Sequence, residues 1–156
     1  MNTAVSSLPL FPLRTVLFPS GELGLRVFEP RYLRMVRDCA RNQTPFAIAL
    51  LLDGDEVGRS TVTAKVGTSA RIIDFDTLPD GLLGIRVRGE SRFRLQSVQC
   101  QDDGLAIARL DFLPDTESGE VRAEHLLLDS LLEHVLAQVG GPHAQASKLT
   151  RDNPHW

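Results

Sequence analysis

A chain of 156 residues, 42% hydrophobic and 24% charged with a net charge of −3, has an ordinary globular composition and length for one well-cored domain or two small ones. The net acidity speaks against a general nucleic-acid binder, and no apolar run approaches the ~18 residues that cross a bilayer, so no membrane partner is expected. With no basic segment ahead of an apolar one at the N-terminus, and two cysteines outside any CxxC pair, the chain reads as cytoplasmic and without a disulfide framework.

The first element is the stretch LPLFPLRTVLFPS, Leu8 to Ser20, which sets three prolines among leucines and phenylalanines. Pro9-x-x-Pro12 resembles a polyproline ligand in isolation, but the apolar side chains around it ask for burial. A first strand is expected, with Pro9 and Pro12 where it lacks a ladder partner and Pro19–Ser20–Gly21 making the next turn. Leu10, Leu13, Val16 and Leu17 are then core, while Phe11 and Phe18 are candidates for lining a groove. Leu23, Leu25 and Val27 alternate with Gly24 and Arg26 as a short strand does. From Pro30 to about Arg41 the apolar residues Tyr32, Leu33, Val36, Cys39 and Ala40 recur at helical spacing, with the proline in the first turn and Asn42 as a stop.

Pro45 to Leu52, PFAIALLL, is short and continuously apolar, and a turn-rich DGDEVGRS follows it, which suits a buried strand. TVTAKVGTSARIIDFD alternates until Gly67 breaks the phase, a sign of a bulge or sharp bend. IRVRGESRFRLQSV and LAIARLDFLP, separated by the turn at Gln101–Gly104, add two further alternating strands. About six strands and one early helix in roughly 105 residues are best buried as a closed or nearly closed antiparallel barrel. At Pro114 the composition shifts to a polar linker. A helix of about nineteen residues follows, with Leu128, Leu131, Leu132, Val135, Leu136 and Val139 on one stripe and Gly140–Gly141–Pro142 at its end. The tail from His143 on is polar, and fraying is expected there.

Catalytic motifs are missing. No GxxxxGK[ST] phosphate loop, GxGxxG, HExxH, GxSxG or SxxK occurs. His125 and His134 stand nine residues apart on one helix and cannot share a ligand, and the aspartates at 53 and 55 and at 102 and 103 sit in turns that favour them for backbone reasons. Cys39 and Cys100 read as small hydrophobes. The sequence therefore offers no catalytic residue, no cofactor site and no metal site, and the chain is read as not an enzyme.

Two basic features remain, and fifteen of the seventeen basic residues are arginine. Arg31, Arg34, Arg37 and Arg41 recur every three or four residues opposite the helix's apolar stripe, as either a solvated face or a partner patch. Arg86, Arg88, Arg92 and Arg94 take the polar phase of a strand, alternating with Ile85, Val87, Phe93 and Leu95, so that the two arginines in each half share one face. That row is a solvent face or an RNA groove, although no aromatic residues interleave on it to stack bases.

The order of these motifs resembles the Lon protease N-terminal domain family in its stand-alone bacterial form. Leu8–Leu13, Val16–Ser20 and Leu25–Tyr32 follow that family's LPLFPL start, its VLFPG turn and its strand-to-helix junction. VGTSARIIDFDTLPDGLLGIRVRGESRFRL resembles the family's later turn and hairpin. Ser20 replaces a usual glycine, and Gly24 stands where proline is common. The resemblance implies an α+β, mainly β fold: a PUA-like antiparallel β-barrel over residues 1–114 with one inserted helix, then a helical C-terminal extension over 115–156, either a truncated bundle or a fragment of a longer chain. It implies a module that binds unfolded or partner protein, akin to the substrate-recognition part of an ATP-dependent protease and to a related domain of cereblon, and serves as an adaptor in proteolysis or protein quality control. An RNA-binding PUA-like module is the alternative. No catalytic residue carries over, and the oligomeric state is left open.

Overall fold

The computed structural model describes residues 5–54, 62–115 and 122–140. The elements are β1 (Val5–Leu13), β2 (Glu22–Val27), α1 (Pro30–Asn42), β3 (Phe46–Asp53), β4 (Val62–Thr77), β5 (Leu83–Cys100), β6 (Ala106–Phe112), and α2 (Leu126–Val139) after a single 3₁₀ turn at Ala123–His125. The chain divides into two compact units, residues 1–114 and 115–156. The polar stretch around 55–60, the linker at 116–121, Gly141–Pro142 and the tail lie outside the described residues.

The strands form one sheet in the order β2-β5-β4-β3-β1-β6, and β6 also pairs with β5. Five strands therefore close a ring, and β2 is attached outside it. β2 and β6 follow one another along the same flank of β5, β2 against Leu83–Arg88 and β6 against Phe93–Cys100. One pairing departs from the expected antiparallel pattern, because β1 and β3 run parallel. Parallel neighbours need a crossover, and here β2 and α1 lie between them in sequence.

The prolines of β1 fit a change of neighbour. Val5 to Leu10 pair with β6, and Leu10 to Leu13 pair with β3. Pro9 thus has a strand on one side only and Pro12 on the other side only, so neither missing N–H need break a ladder.

Helix α1 starts where Glu29 is extended and Pro30 takes the first turn, and it stops at Gln43, whose φ of 53° is left-handed. Tyr32, Met35, Val36 and Cys39 are its buried face. Leu33 is 38% exposed and Ala40 faces solvent, contrary to the expected stripe. Met35, not these two, lies within the arc that the i, i+3, i+4, i+7 spacing of Tyr32 defines. That face joins Phe11, Leu13, Leu17, Phe46, Ile48, Ile85 and Val87 in the larger of two core clusters. Leu10, Phe93 and Leu110 centre the smaller one. Val16, expected in the core, is 54% exposed. It lies in the β1–β2 loop, where Leu17 turns inward instead and the buried Thr68 hydroxyl donates to the Leu17 carbonyl at 2.6 Å.

Gly67 has a packing reason. A Cβ there would collide with the Ile48 carbonyl and the Phe93 ring. The ladder slips beside it, between Ala49 and Leu51 against β3 and between Thr68 and Ala70 against β5. This is the bulge that the broken alternation signals.

Candidate peptide-binding surface

The β1–β2 loop is shaped by a turn in which Gly21 N–H donates to the Phe18 carbonyl at 3.0 Å. Pro19 and Ser20 are the central residues, and Ser20 has a φ of 64°. Proline first and positive φ second make this a type II arrangement, for which glycine is the usual second residue. The turn is held against β5, since Ser20 N–H donates to the Gly89 carbonyl and Gly89 N–H to the Gly21 carbonyl, both at 2.9 Å. A side chain at Gly89 would overlap the Phe18 carbonyl.

So positioned, the loop walls a cavity of about 170 Å³ with Val16, Phe18 and Pro19 on one side and Ile48, Leu50 and Val66 on the other. Around it Val16, Phe18 and Val66 are 54%, 40% and 44% exposed. Leu52, two residues beyond Leu50 in β3, is exposed as well. Three large apolar side chains converging on one solvent-facing cavity differ from the single exposed hydrophobics that any surface carries. Phe18 therefore lines a groove. Phe11, the other candidate, is 5% exposed and stacks on Tyr32 with ring centroids 4.1 Å apart. Position 11 faces inward in β1, beneath α1, where the ring forms part of the wall of a different groove, beside β2.

The helix arginines separate into different roles. Arg31 is not on a solvated face. Its side chain is 10% exposed, Nε donates to Glu29 at 3.0 Å, Nη1 donates to the Gly104 carbonyl at 2.8 Å, and the guanidinium lies over the Tyr32 ring. Arg34 reaches Asp103 and Gln101, each at 2.6 Å. Both arginines thus clasp the start of α1 to the β5–β6 turn. Arg41 is exposed in the last turn of the helix, where a cation complements the C-terminal dipole.

The two strand arginines of each half share a face, but the halves do not share one. Three residues of β5 from Gly89 to Arg92 oppose two of β4, so Arg86 and Arg88 back Ile85 and Val87 of the larger cluster while Arg92 and Arg94 back Phe93 of the smaller, and acids stand beside both pairs. Arg88 pairs with Glu22 at 2.6 Å and Arg86 approaches Asp74 at 3.9 Å. On the neighbouring positions Arg71 pairs with Glu90 at 2.5 Å. Arg94 stands opposite Asp111 in register, and Arg92 borders the apolar cavity. Both pairs thus sit in mixed-charge surroundings, which the strand alternation could show only for Glu90 of β5 itself, because Glu22, Asp74 and Asp111 come from β2, β4 and β6.

Two further concavities flank β2. A broad trough of about 550 Å³ lies over Gly24, Arg26, Asp74, Asp76, Gly84 and Arg86, where Gly24 leaves the sheet bare and the Leu78 side chain lies over Gly84. A groove of about 240 Å³ runs along Gly24–Glu29 with Phe11, Leu13 and Tyr32 opposite. Neither was legible in the sequence, because each is made by strands distant in the chain. The exposure of Val16 had a signal: Val16, Leu17 and Phe18 are consecutive in a loop and cannot all face one interior.

Among the described residues no three His, Cys, Asp or Glu side chains gather as a metal would require, and no helix is long and apolar enough to cross a membrane. Cys39 is buried and Cys100 exposed, so only the first is the small buried hydrophobe expected of both. Burial pushes the Cys39 thiol above its ordinary pKa, partly offset by a hydrogen bond from the Thr44 side chain.

Residues 7–153 match the family model of the ATP-dependent protease La (LON) substrate-binding domain. The chain is 31% identical over 155 residues to a Lon protease of Cytophaga hutchinsonii, covering 96% of this chain and 17% of that protein. It is 30% identical over 116 residues to the cereblon of Danio rerio, covering 72% of this chain and 26% of that one. Among solved structures, the crystal structure of a Lon N-terminal domain protein from Xanthomonas campestris superposes with a TM-score of 0.71 at 41% identity, covering 96% of this chain and 93% of the other. The chain thus spans less than a third of these two curated relatives but nearly the whole of the solved one.

Proposed function

As this chain belongs to the ATP-dependent protease La (Lon) substrate-binding domain family, we propose that it is a non-catalytic module that binds unfolded or partner polypeptide and serves as an adaptor in proteolysis or protein quality control. The strand ring is read as a PUA-like barrel that presents the binding surface. The observation that carries this reading is the convergence of Val16, Phe18 and Val66 on an open apolar cavity. Such a site holds an apolar side chain of an unfolded chain and has nothing to offer a folded protein whose own apolar groups are inside.

Titration calorimetry against a permanently unfolded model protein, with its folded form as control, tests this. Binding of the unfolded form alone is expected, in the micromolar range typical of weak, transient contacts. A Val16→Ser/Val66→Ser variant should keep its melting temperature, since both side chains already meet water, and lose about tenfold in affinity. Equal binding of folded and unfolded forms, or none of either, refutes the reading. Nucleic-acid binding is less well supported, because Glu22, Asp74 and Glu90 interrupt the positive strip that a phosphate backbone requires.

A further inference from the structure

An unpaired strand edge lies beside a groove, and we propose that this edge of β2 takes up an extended segment of unfolded polypeptide as an added antiparallel strand. This rests on the reading that the chain binds unfolded polypeptide and names how it does so. Among the described residues β2 pairs only with β5. The Gly21 carbonyl accepts the Gly89 N–H, so alternation turns the backbone groups of Leu23, Leu25 and Val27 toward β5 and those of Glu22, Gly24 and Arg26 away from it. Among the described residues no strand or side chain pairs with those outward groups. A row of unpaired N–H and C=O groups is a template for another strand.

Another stretch open among the described residues is different. β4 beyond Ala70 also has β5 alone as neighbour, but there the Phe75 N–H is held by the Asp74 side chain at 2.9 Å. That edge is blunted in the way native edges commonly are, and the β2 edge is not.

The surroundings of β2 state what the added strand should carry. Its central residue would exchange two hydrogen bonds with Gly24 and lie over a position where nothing stands within 4 Å of a Cβ. An aromatic side chain covers such an edge glycine. The residues on either side of the centre would face the groove walled by Phe11, Leu13 and Tyr32 and should be apolar. Two positions from the centre, an antiparallel strand meets Arg26 at its N-terminal end and Glu22 at its C-terminal end, so an acid there and a base beyond complement the charges. Arg26 has room for this, being 57% exposed with Asp80 as partner. The pattern is acid, apolar, aromatic, apolar, base.

A fluorescently labelled peptide with Glu-Val-Tyr-Val-Lys at its centre, titrated with the full chain, is the test. Binding is expected, with at least a tenfold loss when the tyrosine nitrogen is methylated and no loss when a residue outside the five is methylated. Gly24→Pro, which removes the edge donor at a position with open space, should give the same loss, and Gly24→Ala should bind as the parent does. Unchanged binding of the tyrosine-methylated peptide, or of a folded Gly24→Pro protein, overturns the proposal. If Gly24→Pro fails to melt cooperatively, the methylated pair decides alone. Light scattering that shows a dimer lost in Gly24→Pro overturns it too, since a second copy would then hold the edge. If unfolded protein binds and the peptide does not, the edge proposal fails and the reading above stands; if neither binds, that reading fails with it.

Discussion

Ser20 shows how much a single residue in a turn can hold. It sits in the left-handed region that the second position of a type II turn demands, a conformation costly for any residue with a Cβ. Ser20→Gly should therefore stabilise the chain by about 0.5–1 kcal/mol, part of the relief being offset by the entropy of the freer residue. A rise of a few degrees in melting temperature would register it, and a fall would contradict it. The cysteines carry a second expectation. Exposed Cys100 should react with a thiol reagent at once and buried Cys39 only on unfolding. Because the folded Cys39 thiol titrates above its ordinary value of 9.0, its contribution is fully present below that value and is lost as pH rises through the folded pKa. Urea midpoints should accordingly fall more steeply above pH 9 in the parent than in Cys39→Ala.

At the scale of elements, α1 is held at its start by Arg31, whose nearly buried guanidinium joins Glu29 to the β5–β6 turn. Removing one partner of a buried charged cluster strands the other, so Arg31→Ala should cost about 2–3 kcal/mol, read as a lower urea midpoint at unchanged slope. Arg41→Ala, at an exposed position, should change the midpoint by less than about 0.5 kcal/mol. The contrast tests the division of the helix arginines into clasp and surface, which their spacing alone does not make. Every residue of that row sits three or four from the next, and what separates Arg31 from Arg41 is the turn lying over the first and nothing described over the last. Much of the rest of α1 was legible: the proline in the first turn and the 3.6-residue recurrence are local facts.

For the whole molecule, the division at Pro114 carries its own expectation. A polypeptide ending there retains the closed ring and both core clusters, so it should melt cooperatively and keep the affinity of the full chain for unfolded protein. Loss of cooperativity would place part of the core's support beyond residue 114. The strand and helix positions, the family and the absence of motifs for known chemistry could be read from residues in order, because alternation, helical period and turn residues are properties of near neighbours. The parallel pairing of β1 with β3, the acids set among the arginines, the burial of Phe11 and Arg31, and the free edge of β2 could not. Each depends on which strands meet, and register between segments tens of residues apart is decided by how the ring closes around its core. The proline-rich opening stretch joins the two kinds of information. Its composition marks the family and begins the fold, while only tertiary packing buries Phe11 beneath α1 and leaves Val16 and Phe18 at the surface.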